Sequence, residues 1–454
     1  MSKKNQVYIL KDEPVTKALI HLAIPSITTS LVMTLHNLID TIFISTLKDN
    51  AMIAATTVAL PLMVIIQAIG DGIGAGSGSY VGRLLGAQDE HKIKDTVSTG
   101  MFLTLLLSIF TFILALTAMK PIVLLFTDDS IVANYATIYM KILMMGATFS
   151  IVKQVCSYLL RNSGDVNFPM KTVLLEIVIN TILTPILMFD FGFSLGLQGA
   201  ALATVIAQAI SAILLLNRLL THNTSIKWTF GNFKFCFDSF KEICNVGFSV
   251  FLRNGLPSLS YGLYAKSAGL FSTDFVAAAG IARKGQHMAN FVIIGIANGY
   301  QPFASYNFGA KNKERLIEAI KKSFLFTTVY GLTIALIFYT VPHLVISVIT
   351  QDASLVSIGK DIVKAYAISM PILGIYQILA GTFQACGKGK LSFWTSILRQ
   401  GIIYCPLVVL LPRLMGEIGF TLVQPICDWI SMIIVVILSK NLYKEILEMP
   451  DHRE

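Results

Sequence analysis

The chain has 454 residues, 54% hydrophobic and 13% charged, about half the charged share of an ordinary soluble domain. Stretches long enough for the roughly 20 apolar residues of a helical span recur from near Thr16 to near Lys440, leaving no room for a separate catalytic domain. The net charge of +9 does not indicate nucleic acid, because Lys and Arg lie in short loops between apolar stretches and not on one soluble face.

The N-terminal run MSKKNQVYILKDEPVTK is too polar for a signal peptide, and the apolar stretch after it has no small-residue cleavage site, so the first helix is expected to stay in the mature protein. Spans are predicted at about 16–46, 52–82, 96–119, 131–161, 168–190 and 197–221. A polar stretch, His222 to Asp238, follows as a cytoplasmic linker. Six more spans are predicted at about 240–270, 275–307, 320–343, 354–386, 391–412 and 418–440. Pro25, Pro61, Pro257, Pro302, Pro371 and Pro425 fall inside spans, where each removes a backbone hydrogen bond and favours a bend. The six cysteines are scattered, without a C-x-x-C pair, and read as reduced packing residues. No cofactor or metal site is expected.

Orientation follows from the loops. With the N-terminus in the cytoplasm, Lys11, Lys17, Arg83, Lys92, Lys94, Lys311, Lys313 and Arg315 share that side, while the far side keeps little more than Lys48, Lys120, Lys360 and Arg413. The positive-inside rule selects this orientation, with both termini cytoplasmic in the inner cell membrane.

The two halves repeat. S-Y-V-G-R-L-L-G-A-Q-D-E, around Gly86, matches S-Y-N-F-G-A-K-N-K-E, around Gly309, and R-N-S-G-D at Gly164 matches Q-A-C-G-K at Gly387; both glycine pairs are 223 residues apart. The expected fold class is an all-α membrane protein of twelve helices in two pseudo-symmetric six-helix bundles around a central cavity. The expected division is residues 1–221, linker 222–238 and residues 239–454, a plan suited to alternating access.

Asp40 lies within the first span among Ile39, Ile42 and Phe43, where an unpaired carboxylate costs several kcal/mol. It is the leading candidate to take up a proton or a cation and release it on the other side. His36, four residues earlier, shares its helix face and either relays protons or holds a hydrogen bond. Arg253 with Asn254, Arg399 with Gln400, and Asp428 fall in spans seven, eleven and twelve and read as a charge-compensated structural network. Glu176, Lys266, Arg283 and His287 are further polar residues within spans. Asp71 sits in G-D-G-I-G-A-G-S-G, whose glycines permit close helix approach. With Gln67, Met33, Phe149 and Tyr158 it is a candidate to line a substrate cavity, where aromatic and Met side chains suit lipophilic cations.

These stretches, together with P-S-I-T-T-S-L-V-M-T-L-H-N-L-I-D in the first span, G-I-A-N-G-Y-Q-P-F-A-S-Y-N-F-G-A-K in the eighth and P-I-C-D in the twelfth, resemble the multidrug and toxic compound extrusion (MATE) family in its bacterial branch. The resemblance covers nearly the whole chain. It implies export of varied organic cations or amphipathic drugs, driven by inward H⁺ or Na⁺, with Asp40 as the coupling carboxylate; the two-lobe plan lets one chain form a complete pathway, so a monomer is expected. It also implies Asn180, Thr184 and Thr204 as oxygen ligands around Asp40. Where the family commonly carries a second aspartate, this chain has Thr184. A hydroxyl offers oxygen but no charge, so H⁺ at Asp40 is favoured, with Na⁺ as the alternative.

A lipid or lipid-linked sugar flippase of the same architecture is the competing expectation, kept open by Arg253, Lys266 and Arg283. An enzyme is not expected, since neither H-E-x-x-H nor G-x-S-x-G occurs.

Overall fold

In lipid a spanning segment must pair its own backbone N–H and C=O groups, which a helix does and an open strand cannot. The computed structural model describes residues 3–47, 49–221, 226, 228–229, 231 and 233–450, and their regular structure is helical throughout. The helices of the first half are α1 (Lys3–Lys11), α2 (Val15–Ser45), α3 (Asn50–Gly86), α4 (Glu90–Thr117), α5 (Met119–Val123), α6 (Ser130–Met145), α7 (Ala147–Asn162), α8 (Asn167–Met188) and α9 (Leu197–Leu220). The second half has α10 (Phe237–Ala268), α11 (Thr273–Gly309), α12 (Lys313–Thr340), α13 (Pro342–Ser347), α14 (Ala353–Ala367), α15 (Met370–Ala385), α16 (Gly389–Ile397), a π-helical turn (Leu398–Ile402) and α17 (Tyr404–Leu447).

Among the described residues seven helical segments qualify as spans by length and composition alone, and the bent pairs α6–α7 and α14–α15 raise this to nine. One of the seven, Gly389–Leu447, is broken at Gly416, which has φ 62° and ψ −143°, and is two spans. The long helices α10 and α11 complete the twelve expected from the sequence.

The repeat is carried into structure position by position. α3 and α11 start and end 223 residues apart, as do α4 and α12. Gln88 and Lys311, also 223 apart, both take left-handed φ values, 59° and 55°. They reverse the chain before matched N-caps, where Asp89 accepts from Lys92 N–H and Asn312 from Arg315 N–H. Gly164 and Gly387 repeat the device at φ 90° and 72°. Asp129 and Asp352 cap α6 and α14 alike, and the bends that follow are 46° and 53°.

The described chain divides into two compact units, Met1–Ile9 with Leu31–Gly247, and Leu10–Ser30 with Phe248–Glu454. In these units the beginnings of α2 and α10 each group with the other half's helices. Glycines are the reason. In the first unit a Cβ at Gly76 of α3 would stand 2.3 Å from the Ile243 carbonyl oxygen, and one at Gly247 would stand 2.5 Å from the Gly72 oxygen. In the second unit Gly295 and Gly299 of α11 face Ile27 and Ala23, with a Cβ at either only 2.6 Å from their atoms. Backbones this close exclude any side chain and gain dispersion contacts along the crossing.

The stretch after α9 is less of a free tether than its polarity suggests. Residues 222–225, 227, 230 and 232 lie outside the described residues. Around them Trp228 is buried and donates from Nε1 to Ser98 Oγ at 2.7 Å, while Phe233 and Phe235 pack on Phe102 of α4.

Candidate functional site

In the first unit α2 places His36 Nε2 3.4 Å from Asp40 Oδ2. α8 brings Asn180 to the other carboxylate oxygen. The donors and acceptors around the amide set its orientation: its nitrogen donates to Asp40 Oδ1 at 3.1 Å and its oxygen accepts from Thr204 Oγ1 of α9 at 3.2 Å. Thr184, one turn along α8, has its hydroxyl 3.3 Å from the same amide nitrogen. Asn180 and Thr184 are buried, whereas the Asp40 side chain keeps 29% exposure. Tyr139 of α6 is a further titratable neighbour of the carboxylate. The five residues assigned to ion coupling therefore occupy one place on three helices. The buried His36 Nδ1 has no hydrogen-bond partner among the described residues.

Two other acidic groups of this unit are engaged. Glu176 of α8 accepts from Lys153 Nζ of α7 at 2.7 Å, and Asp71 of α3 accepts from Gln154 Nε2 at 2.5 Å. Tyr158 lies against Gly74, where a Cβ would stand 2.5 Å from its ring, and beneath Arg161 at 5.2 Å. Of the residues assigned to a substrate cavity, Asp71 and Tyr158 are thus built into the α3–α7 packing, while Gln67, Met33 and Phe149 are exposed.

In the second unit Arg399 Nε donates to Asp428 Oδ1 at 2.7 Å, and Gln424 Nε2 donates to the same oxygen at 2.8 Å. The π-helical turn presents Arg399, which stands over the Tyr376 ring at 5.2 Å. Arg253 is within electrostatic reach of Tyr376. Gln400 contributes through its backbone, its carbonyl accepting from Ser260 Oγ at 2.7 Å. Of the expected network, Arg399 and Asp428 form the ion pair and Arg253 stands near it.

Sequence reasoning missed how Arg283 of α11 is housed. It is 8% exposed, donates from Nη1 to the Tyr404 hydroxyl at 2.8 Å, and lies 4.0 Å and 4.4 Å from the ring centres of Tyr261 and Tyr264. Tyr261 is hydrogen-bonded to His287, one turn beyond Arg283. The i, i+4 spacing of Arg283 and His287 was the available signal, but the tyrosines come from two other helices, α10 and α17.

Comparison with known proteins follows this geometry. The MatE family model matches residues 25–186 and 251–410, more than half of the chain and both halves of the repeat. The chain is a member of the MATE family, in its bacterial branch. The multidrug export protein MepA of Staphylococcus saprophyticus is 27% identical to this MATE protein over 447 residues, 97% of this chain and 98% of that one. MepA of Staphylococcus aureus strain MRSA252 is 27% identical over 454 residues, 98% and 99% of the two chains. Among solved structures, a MATE protein in complex with MaL6 superposes with a TM-score of 0.91 at 22% identity, covering 97% of this chain and 99% of that one. A MOP superfamily transporter from Pyrococcus furiosus gives 0.90 at 22% identity, covering 97% and 98%. These structures share its fold. The MATE protein is accordingly a multi-pass membrane transporter.

Proposed function

We propose that this protein is a secondary active antiporter of the cytoplasmic membrane. It exports structurally varied organic cations and drugs by alternating access in exchange for H⁺, as a monomer with both termini cytoplasmic. Asp40 carries the reading. Among the described residues no Lys or Arg pairs with its carboxylate, whose contacts are the Asn180 amide and His36. A carboxylate inside a membrane bundle without a fixed cation gains by taking up a proton or a mobile cation. Asn180, Thr184 and Thr204 supply neutral oxygens and an amide, suited to holding the carboxylate in either state, and would be the added ligands if Na⁺ took the place of H⁺. The multidrug export proteins to which the chain is similar support organic cations as cargo.

Ethidium efflux from proteoliposomes under an imposed H⁺ gradient, and separately a Na⁺ gradient, tests the reading. Wild type should respond to H⁺ and Asp40→Asn should not; unchanged efflux in the mutant would overturn it. A flippase for lipids or lipid-linked sugars is the second reading, favoured by the buried Arg283, which among the described residues forms no ion pair with an acidic side chain. It would show as lipid movement without gradient-driven ethidium efflux.

A further inference from the structure

The interior of the second unit carries more positive than negative charge. Arg399 is matched by Asp428 at 2.7 Å, but among the described residues no acidic side chain forms an ion pair with Arg283. A guanidinium keeps its charge in any protein environment and has five N–H donors. Burying one away from a carboxylate is costly, and such intramembrane charges are commonly functional. The groups around Arg283 are neutral: the Tyr404 hydroxyl at 2.8 Å, the Tyr261 and Tyr264 rings at 4.0 Å and 4.4 Å, and the Tyr404 ring at 5.6 Å. Ring faces hold a cation in place, and of the five N–H donors the Tyr404 and Tyr261 hydroxyls engage only a part. One turn before Arg283, Gly280 is exposed and a Cβ built on it would meet nothing within 4 Å, so α11 is open to the surroundings close to the cage.

We propose that Arg283 and its tyrosine cage form a binding site for an anionic group, a carboxylate or a phosphate, borne by a lipophilic molecule. The guanidinium offers the paired donors that such groups accept, and the tyrosine rings present apolar faces to the body that carries them. Zwitterions and lipophilic anions then join the cargo, beyond organic cations. The source of the group is either a small carboxylated molecule in transit or the headgroup of an acidic lipid. The site lies wholly within the second unit and needs no coupling ion, so its fate is separable from that of Asp40.

The test uses the full chain in neutral maltoside micelles without any gradient, with dansylglycine as anionic probe, its methyl ester as neutral isostere and ethidium as cation. Wild type should bind dansylglycine about tenfold or more tightly than the ester, as a hydrogen-bonded charge pair supplies. Arg283→Gln should remove that preference while ester and ethidium binding stay as in wild type. Arg283→Lys, which retains the charge, and Tyr404→Phe, which frees the Nη1 donor, should keep it. Displacement of dansylglycine by phosphatidylglycerol, with phosphatidylcholine as the control, marks a lipid phosphate as the source; its absence marks a small carboxylate. Equal binding of probe and ester to wild type would overturn the proposal. If Arg283→Gln weakens all three probes alike, Arg283→Lys decides, since loss of the preference there would also overturn it.

Discussion

Glu176 and Arg399 stand at the same place in the two halves of the chain, 223 positions apart, with opposite charge. Their partners have changed to suit: Lys153 binds Glu176 at 2.7 Å, and its counterpart Tyr376 offers Arg399 a ring face at 5.2 Å. A duplicated scaffold has kept its caps and bends while the chemistry inside each half has diverged.

Removing either member of the Arg399–Asp428 pair leaves a buried charge alone, which costs about 3–5 kcal/mol. Asp428→Asn and Arg399→Met should each lower the melting temperature of the detergent-solubilised protein by several degrees. The double substitution Arg399→Met with Asp428→Leu should regain most of it. Scanning fluorimetry reads all three, and a double mutant no better than the singles would contradict the pairing as the source of stability.

The glycines divide into two kinds. At Gly76 a Cβ would collide with the Ile243 carbonyl, so Gly76→Ala should cost about 1–3 kcal/mol by overpacking. Gly255 of α10 has nothing within 4 Å of its Cβ position, and Gly255→Ala should stabilise by up to about 1 kcal/mol through helix propensity. The two variants should move the melting temperature in opposite directions.

Asp40→Asn should reduce gradient-driven ethidium efflux to the level of protein-free vesicles at wild-type expression. Asn180→Leu, which removes the amide at 3.1 Å, should lower efflux about tenfold or more, as expected when one hydrogen bond to a charged group is lost. If both variants pump at the wild-type rate, coupling lies elsewhere.

Asp89 holds its carboxyl below the usual value of 3.8, chiefly because Lys92 N–H donates to it. A depressed folded-state value means that the charged cap stabilises above the unfolded value and loses that contribution as pH falls through the folded one. Asp89→Asn, which copies Asn312 of the other half, should therefore show a smaller loss of stability than wild type on acidification below about pH 3.8. Thermal melts from pH 6 downward compare the two.

The spans, the 223-residue offset and the glycine runs were legible because each leaves a local mark: hydropathy, a repeated motif, a composition. Which helices the glycines would touch was not, since hydropathy does not encode partners, and the exchange of the starts of α2 and α10 depends on backbones distant in sequence. Asp40 was legible as an isolated carboxylate. The cage around Arg283 was not, because Tyr261, Tyr264 and Tyr404 gain their meaning only when α10, α11 and α17 meet.

The π-helical turn has no sequence signature, yet it resets the helix that follows it as far as Pro412. Its i→i+5 bond, from Ile403 N–H to the Leu398 carbonyl, accommodates one residue more than an α turn. Directly after it the offset between halves is 224, with buried Asn180, Thr184 and Met188 matched by buried Tyr404, Val408 and Pro412, and Tyr404 takes the place that Asn180 holds in the first half. One half thus turns a carboxamide toward Asp40, and the other a phenol toward Arg283. An insertion of a single residue is the smallest change that re-aims a whole helix face without altering any side chain on it. Deleting one residue between Leu398 and Ile402 would swing Tyr404 away from Arg283 and bring this helix into the phase that α8 has in the first half.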